Sequence, residues 1–177
     1  RGQGGAGVPD NGNYGWSTGG GQDFVHALDL LHLSGRGDVY GIGHSQGGAL
    51  VMMGEMHRPG TFAGIFGFEP VVFPRVVDTT GNDNHMAAAA RRRREVFASK
   101  QAAYDNYRAK LPFSTMDDDC LRAYVEWGFD DLDDGTVRLR CRSANEALIF
   151  EGAHGHSTEL CKEITCPSTV ALGEYTN

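Results

Sequence analysis

The chain has 177 residues, 40% hydrophobic and 22% charged, which are ordinary globular proportions; they exclude a disordered chain and suit one domain with a proper core. A formal net charge of −7 argues against a nucleic-acid partner, which wants a basic surface. No window approaches the roughly 18 uninterrupted apolar residues that a membrane span needs, so no membrane partner is expected.

Residues 1–20, RGQGGAGVPDNGNYGWSTGG, read as glycine-rich loop. Gly2, Gly4 and Gly7 match G-x-G-x-x-G by spacing, but a dinucleotide site needs a strand before that run and a helix opening from it. Nothing precedes it here and VPDNG follows, which is turn chemistry, so the cofactor reading is rejected. Next, GQDFVHALDLLHL sets Phe24, Val25, Leu28 and Leu31 on one stripe, predicting an amphipathic helix that SGRGD ends. VYGIGH is then a short apolar strand. QGGALVMMGEMH is a helix apolar on nearly every side, which must be buried against a sheet. Phe62 to Phe68 form a second apolar run, closed by Pro70. Helix, strand, helix, strand with short connections implies a parallel α/β sheet.

The composition shifts between about Asp78 and Lys162. TTGNDNH is a polar linker, and MAAAARRRREVFASKQAAYDNYRAKL reads as one long helix with Phe97, Tyr104, Tyr107 and Leu111 roughly on one side. Within it, Arg91 to Arg94 would point around the helix as a solvated face rather than gather into a patch. A second helix is predicted from Asp117 to Gly128, TVRLRC alternates like a short extended piece, and Ser143 with Glu146 has capping-box spacing for a third helix. STVALG returns to a strand after Pro167. The expected organisation is a partial core over 1–77, a helical insert over 78–162 and a return to the sheet over 163–177.

Gly43-His44-Ser45-Gln46-Gly47 satisfies G-x-S-x-G, with a strand before it and a helix after it, as that motif requires. Gly43 and Gly47 would relieve crowding where the strand doubles back. Ser45 would stand at the apex, and the Gln46 amide at the helix start could donate to a developing oxyanion. A flexible Gly/Ser turn is the plainer reading of the same residues.

GHSQGG, with RGQGGAG upstream and CPSTVALGE downstream, resembles the α/β-hydrolase fold superfamily over nearly the whole chain. The resemblance implies a serine nucleophile, an acid and a histidine in that chain order, with the 78–162 block as a helical cap. It places the common acid after the strand that follows the cap, where Gly173, Glu174, Tyr175 and Thr176 put a threonine in the aspartate's register. A subset of the superfamily carries its acid after the strand before the cap, which here is Glu69; Glu174 is the second candidate. A carboxylate ending an apolar strand needs a partner, whether a catalytic histidine or Arg75.

For the base, His26, His32, His44, His57 and His85 read as surface or flanking residues, leaving His154 and His156 in the expected order. The superfamily's histidine lies on a loop after the last strand seen here. The expectation is therefore an internal fragment, truncated at both ends, lacking the catalytic histidine and the second oxyanion donor, with His154 as the alternative base.

Cys120, Cys141, Cys161 and Cys166 form no tight framework, so free thiols in a reducing, cytoplasmic compartment are the default. His154 and His156 with Cys161 and Cys166 match no compact zinc module, and neither a metal nor an organic cofactor is expected. The reading is a serine hydrolase that cleaves a small, largely apolar ester-like substrate through an acyl-enzyme on Ser45, with Phe97, Tyr104, Tyr107, Tyr124 and Trp127 roofing the pocket. The alternatives are a catalytically inactive ligand-binding module, or an acyltransferase or carbon–carbon bond hydrolase on the same scaffold.

Overall fold

The computed structural model describes residues 1–72, 84–153 and 160–174. In chain order the elements are α1 (Gly21–Leu30), β1 (Val39–His44), α2 (Gln46–His57) and β2 (Phe62–Phe68). Then come α3 (His85–Arg91), β3 (Val96–Phe97), α4 (Lys100–Arg108), α5 (Asp118–Gly128), β4 (Phe129–Asp131) and β5 (Val137–Leu139). The last two are α6 (Ser143–Glu151) and β6 (Ser168–Ala171). No helix among the described residues is long and apolar enough to cross a membrane.

The chain divides into two compact units: Arg1–Gly12 with Asn84–Phe150, and Asn13–Asp83 with Glu151–Asn177. The first twelve residues thus group with Asn84–Phe150, and their one large apolar side chain, Val8, is 59% exposed.

In the second unit β1, β2 and β6 form a parallel sheet in the order β1-β2-β6. The all-round apolar α2 is buried as expected: Ala49, Val51, Met52 and Met53 are each at most 6% exposed, and Val51 and Met52 join Leu28, Phe62 and Ile65 in one core cluster. Helix α1 presents Leu28 and Phe24 to that core and buries Val25, but it ends at Leu30, so the predicted fourth stripe residue, Leu31, lies exposed beyond it. The other face of the sheet turns Tyr40, Ile42, Phe66 and Phe68 outward.

Glu55 is the exception inside α2. It is fully buried, and its carboxylate accepts the backbone N–H groups of Gly60 (2.8 Å), Thr61 (3.1 Å) and Phe62 (3.0 Å). A helix residue thereby holds the start of β2. Asp29 of α1 takes the Arg58 guanidinium at the end of α2 through both carboxylate oxygens (2.9 and 2.7 Å), which pins the two helices.

The first unit departs from the expected all-helical insert. It contains a three-stranded antiparallel sheet, β3-β5-β4, whose Phe97, Val137, Leu139 and Phe129 pack with Leu121, Val125 and Tyr107 of α5 and α4. The predicted long helix from Met86 is broken into α3, β3 and α4. Two local causes are visible. Ser99 caps α4 by accepting the Ala102 N–H at 3.1 Å, and Arg93 turns inward to an ion pair with Glu146 and hydrogen bonds to the Tyr107 and Tyr124 hydroxyls. Arg93 is therefore no solvated face residue. The same ion pair occupies Glu146, and Ser143 donates to Glu95, so the predicted Ser143–Glu146 capping box does not form.

Candidate active site

Ser45 joins the end of β1 to the start of α2 with φ 52° and ψ −122°, a conformation that costs a non-glycine residue roughly 1–3 kcal/mol. Its backbone is tied on three sides. The Ser45 amide donates to the Phe68 carbonyl (3.0 Å), and its own carbonyl accepts the N–H groups of Ala49 (3.3 Å) and Val71 (3.2 Å). Serine is a preferred helix cap, yet the Ser45 side chain makes no capping bond, so its half-buried hydroxyl is not consumed by the helix it precedes.

The two motif glycines differ. A Cβ on Gly43 would lie 2.4 Å from the backbone of Gly47 and 2.5 Å from that of Gly48, so only glycine lets the helix start pass that close to the strand. A Cβ on Gly47 would meet nothing within 4 Å, so the crowding expected there does not exist. Gly43→Ala is thus expected to destabilise the sheet unit by about 3 kcal/mol through backbone overpacking, while Gly47→Ala leaves the melting temperature unchanged in thermal denaturation of the two variants.

Gln46 is the first residue of α2, so its amide has no partner within the helix and lies beside Ser45. Glu69 follows the end of β2, and the register that pairs His44 with Phe68 brings Ser45 and Glu69 to the same level of neighbouring strands. Glu69 also has positive φ, 45°. Its amide donates to the Ala171 carbonyl (2.8 Å) and its carboxylate accepts the Gly173 N–H (2.9 Å), so it bridges the ends of β2 and β6. Glu174, the other candidate acid, is exposed one residue further along.

The sheet unit therefore gathers Ser45, Gln46 and Glu69 at the carboxyl ends of its strands. It brings no described histidine to them: His26, His32 and His57 are exposed on or beside α1 and α2. His44 is exposed as well, with its ring centroid 5.5 Å from that of Phe68. His85 belongs to the other unit, and His154, His156, Arg75, Tyr175 and Thr176 lie outside the described residues. The sequence did not single out the Phe68 carbonyl and Val71 amide that hold Ser45, since backbone groups leave no side-chain pattern to read.

Below this corner Met52, Pro70, Val72, Cys161, Ile164 and Cys166 help line an apolar groove of about 410 Å³. Burial pushes the Cys161 and Cys166 thiols up. Among the described residues no group of three or more His, Cys, Asp or Glu is placed to hold a metal ion. The aromatic residues expected to roof a pocket all belong to the first unit. Phe97 and Tyr107 are core residues of the first unit, Tyr104 and Tyr124 pack against that core, and Trp127 is 71% exposed.

No protein-family model and no curated protein sequence matches the chain. Solved structures do. An E-2-(acetamidomethylene)succinate hydrolase aligns over 96% of this chain with a TM-score of 0.73 and 19% identity. A peroxisomal α/β-hydrolase from Saccharomyces cerevisiae aligns over 94% with a TM-score of 0.70 and 18% identity, and an esterase from Mycobacterium tuberculosis over 97% with 0.64 and 20%. The chain spans 59%, 47% and 54% of the lengths of those three. At such identities the likeness establishes the fold.

Proposed function

Starting from the α/β-hydrolase fold that the chain displays, we propose that it carries the nucleophile of a serine hydrolase acting on a small, largely apolar ester-like acyl compound. The observation that carries this reading is Ser45, a serine in helix-cap position whose hydroxyl does not cap and whose strained backbone is held by three hydrogen bonds. Packing alone gives no reason for that strain, and strain of this kind gathers at reacting groups.

In the proposed reaction Ser45 Oγ attacks the acyl carbon while a histidine takes the hydroxyl proton. The tetrahedral oxyanion receives the Gln46 N–H at the positive end of α2. The leaving group departs with the proton from the imidazolium, and water repeats the sequence on the acyl-enzyme. Glu69 orients the histidine and stabilises its charge; the level it shares with Ser45 favours it over the exposed Glu174. His154 is the candidate base within the chain. The apolar groove beside Pro70 suits an apolar acyl substituent. The structural neighbours named as an esterase and as an acetamidomethylene-succinate hydrolase are in keeping with acyl cleavage.

A fluorophosphonate probe tests the reading. Labelling at Ser45, lost in Ser45→Ala with circular dichroism unchanged, is the expected outcome. Loss in His154→Ala assigns the base to His154, and retention places it elsewhere. Labelling only in a chain extended beyond these residues assigns the base to the added sequence, and a folded, extended chain that takes no label supports the ligand-binding module and overturns the proposal.

A further inference from the structure

The small antiparallel sheet joins two arginine-rich stretches that are far apart in sequence, RRRR at 91–94 and RLRCR at 138–142. Val96 of β3 stands opposite Arg138 of β5, and the Leu139 N–H to Glu95 carbonyl bond (2.9 Å) continues the pairing, setting Arg94 level with Arg140. Val137 and Leu139 enter the core, so by alternation Arg138 and Arg140 lie on the opposite face. Like charges placed together on a sheet face repel, and the usual remedy is an opposed carboxylate.

Most of these arginines have found a partner. Arg93 pairs with Glu146 and Arg142 with Glu95, while Arg94 donates to the Val96 carbonyl (2.8 Å) and lies over the Phe97 ring at 4.6 Å. Asp130 of β4 is directly opposite Arg138, yet its carboxylate accepts from Arg140 Nε at 2.7 Å. Arg138 is left over. Its Nε is buried without a hydrogen-bond partner, and its guanidinium pairs with nothing among the described residues. A buried donor left unpaired is unfavourable unless something else supplies the acceptor.

We propose that this outer sheet face binds an oxyanion on Arg138, with Arg140 beside it on the same strand. A planar guanidinium presents parallel N–H donors that match two oxygens of a phosphate or carboxylate group. The Arg138 and Arg140 guanidinium groups against the one Asp130 carboxylate leave a positive charge to meet the oxyanion. The proposal stands apart from the Ser45 chemistry and survives its failure.

Calorimetric titration of the full chain with sodium pyrophosphate, and in a parallel arm with sodium citrate, against sodium chloride at equal ionic strength, tests it. Pyrophosphate is expected to bind and to raise the melting temperature beyond the chloride control. Arg138→Gln should weaken binding about tenfold or more. Arg122→Gln, which removes an exposed arginine paired with Asp118 on α5, should leave binding unchanged. Asp130→Asn removes the competing carboxylate and should tighten binding, a gain that a damaged fold cannot produce. Binding of citrate as tightly as pyrophosphate marks a polycarboxylate ligand, and pyrophosphate alone a phosphorylated one. Heat no different from chloride, or equal affinity in Arg138→Gln, overturns the proposal.

Discussion

Replacing Glu69 by glutamine is expected to slow acylation of Ser45 by a factor on the order of 10³–10⁴, read as the rate of fluorophosphonate labelling and of p-nitrophenyl acetate hydrolysis. The substitution is nearly isosteric. A glutamine amide oxygen can still accept the Gly173 N–H that the carboxylate accepts at 2.9 Å, so the bridge between the ends of β2 and β6 survives. What is lost is the negative charge that would stabilise an imidazolium as Ser45 gives up its proton. Glu174→Gln is expected to leave the rate unchanged, because that side chain is exposed beyond the bridge. An undiminished rate in Glu69→Gln removes Glu69 from the mechanism, and a loss confined to Glu174→Gln moves the acid there.

Glu55→Ala is expected to lower the unfolding free energy by about 4 kcal/mol in urea denaturation followed by fluorescence. Trp16, which is 3% exposed, reports the sheet unit that holds Glu55. Three backbone N–H groups, from Gly60, Thr61 and Phe62, lose a charged acceptor in a fully buried place that leaves them little access to water. Thr61 makes the loss worse. It is itself fully buried and ties the same loop together, its hydroxyl donating to the Arg58 carbonyl at 2.6 Å and accepting the Gly35 N–H at 3.0 Å. A loss of this size is a large part of the roughly 5–15 kcal/mol that holds a domain folded. Glu55→Gln keeps one acceptor oxygen and should fall between Ala and the natural residue. A change under about 0.5 kcal/mol, the range of ordinary surface substitutions, would show that the carboxylate does not hold the loop.

The elements of the sheet unit were legible in the sequence because each carries its own period. VYGIGH and FAGIFGF are short apolar runs closed by turn residues, and the all-round apolar α2 could only be buried. Ser45 was legible for a related reason: a glycine-flanked serine between a strand and a helix is a local pattern. The broken long helix was not. Its alanines, arginines and lysines favour a helix throughout, and only the reach of Arg93 to Glu146, 53 positions away, together with the pairing of Val96 and Phe97 with β5, makes the break favourable.

By itself, then, the sequence determined which segments would be strands and buried helices of a parallel α/β sheet, and which serine would stand at their junction, since periodicity and turn chemistry act between near neighbours. Tertiary structure alone decided that Glu69 stands level with Ser45, that Gly43 is required where Gly47 is not, and that Arg138 loses its opposed carboxylate to Arg140. These depend on strand register and on the close approach of distant backbone. The chain settles them only when the sheets close, because no single segment holds the energy that selects them.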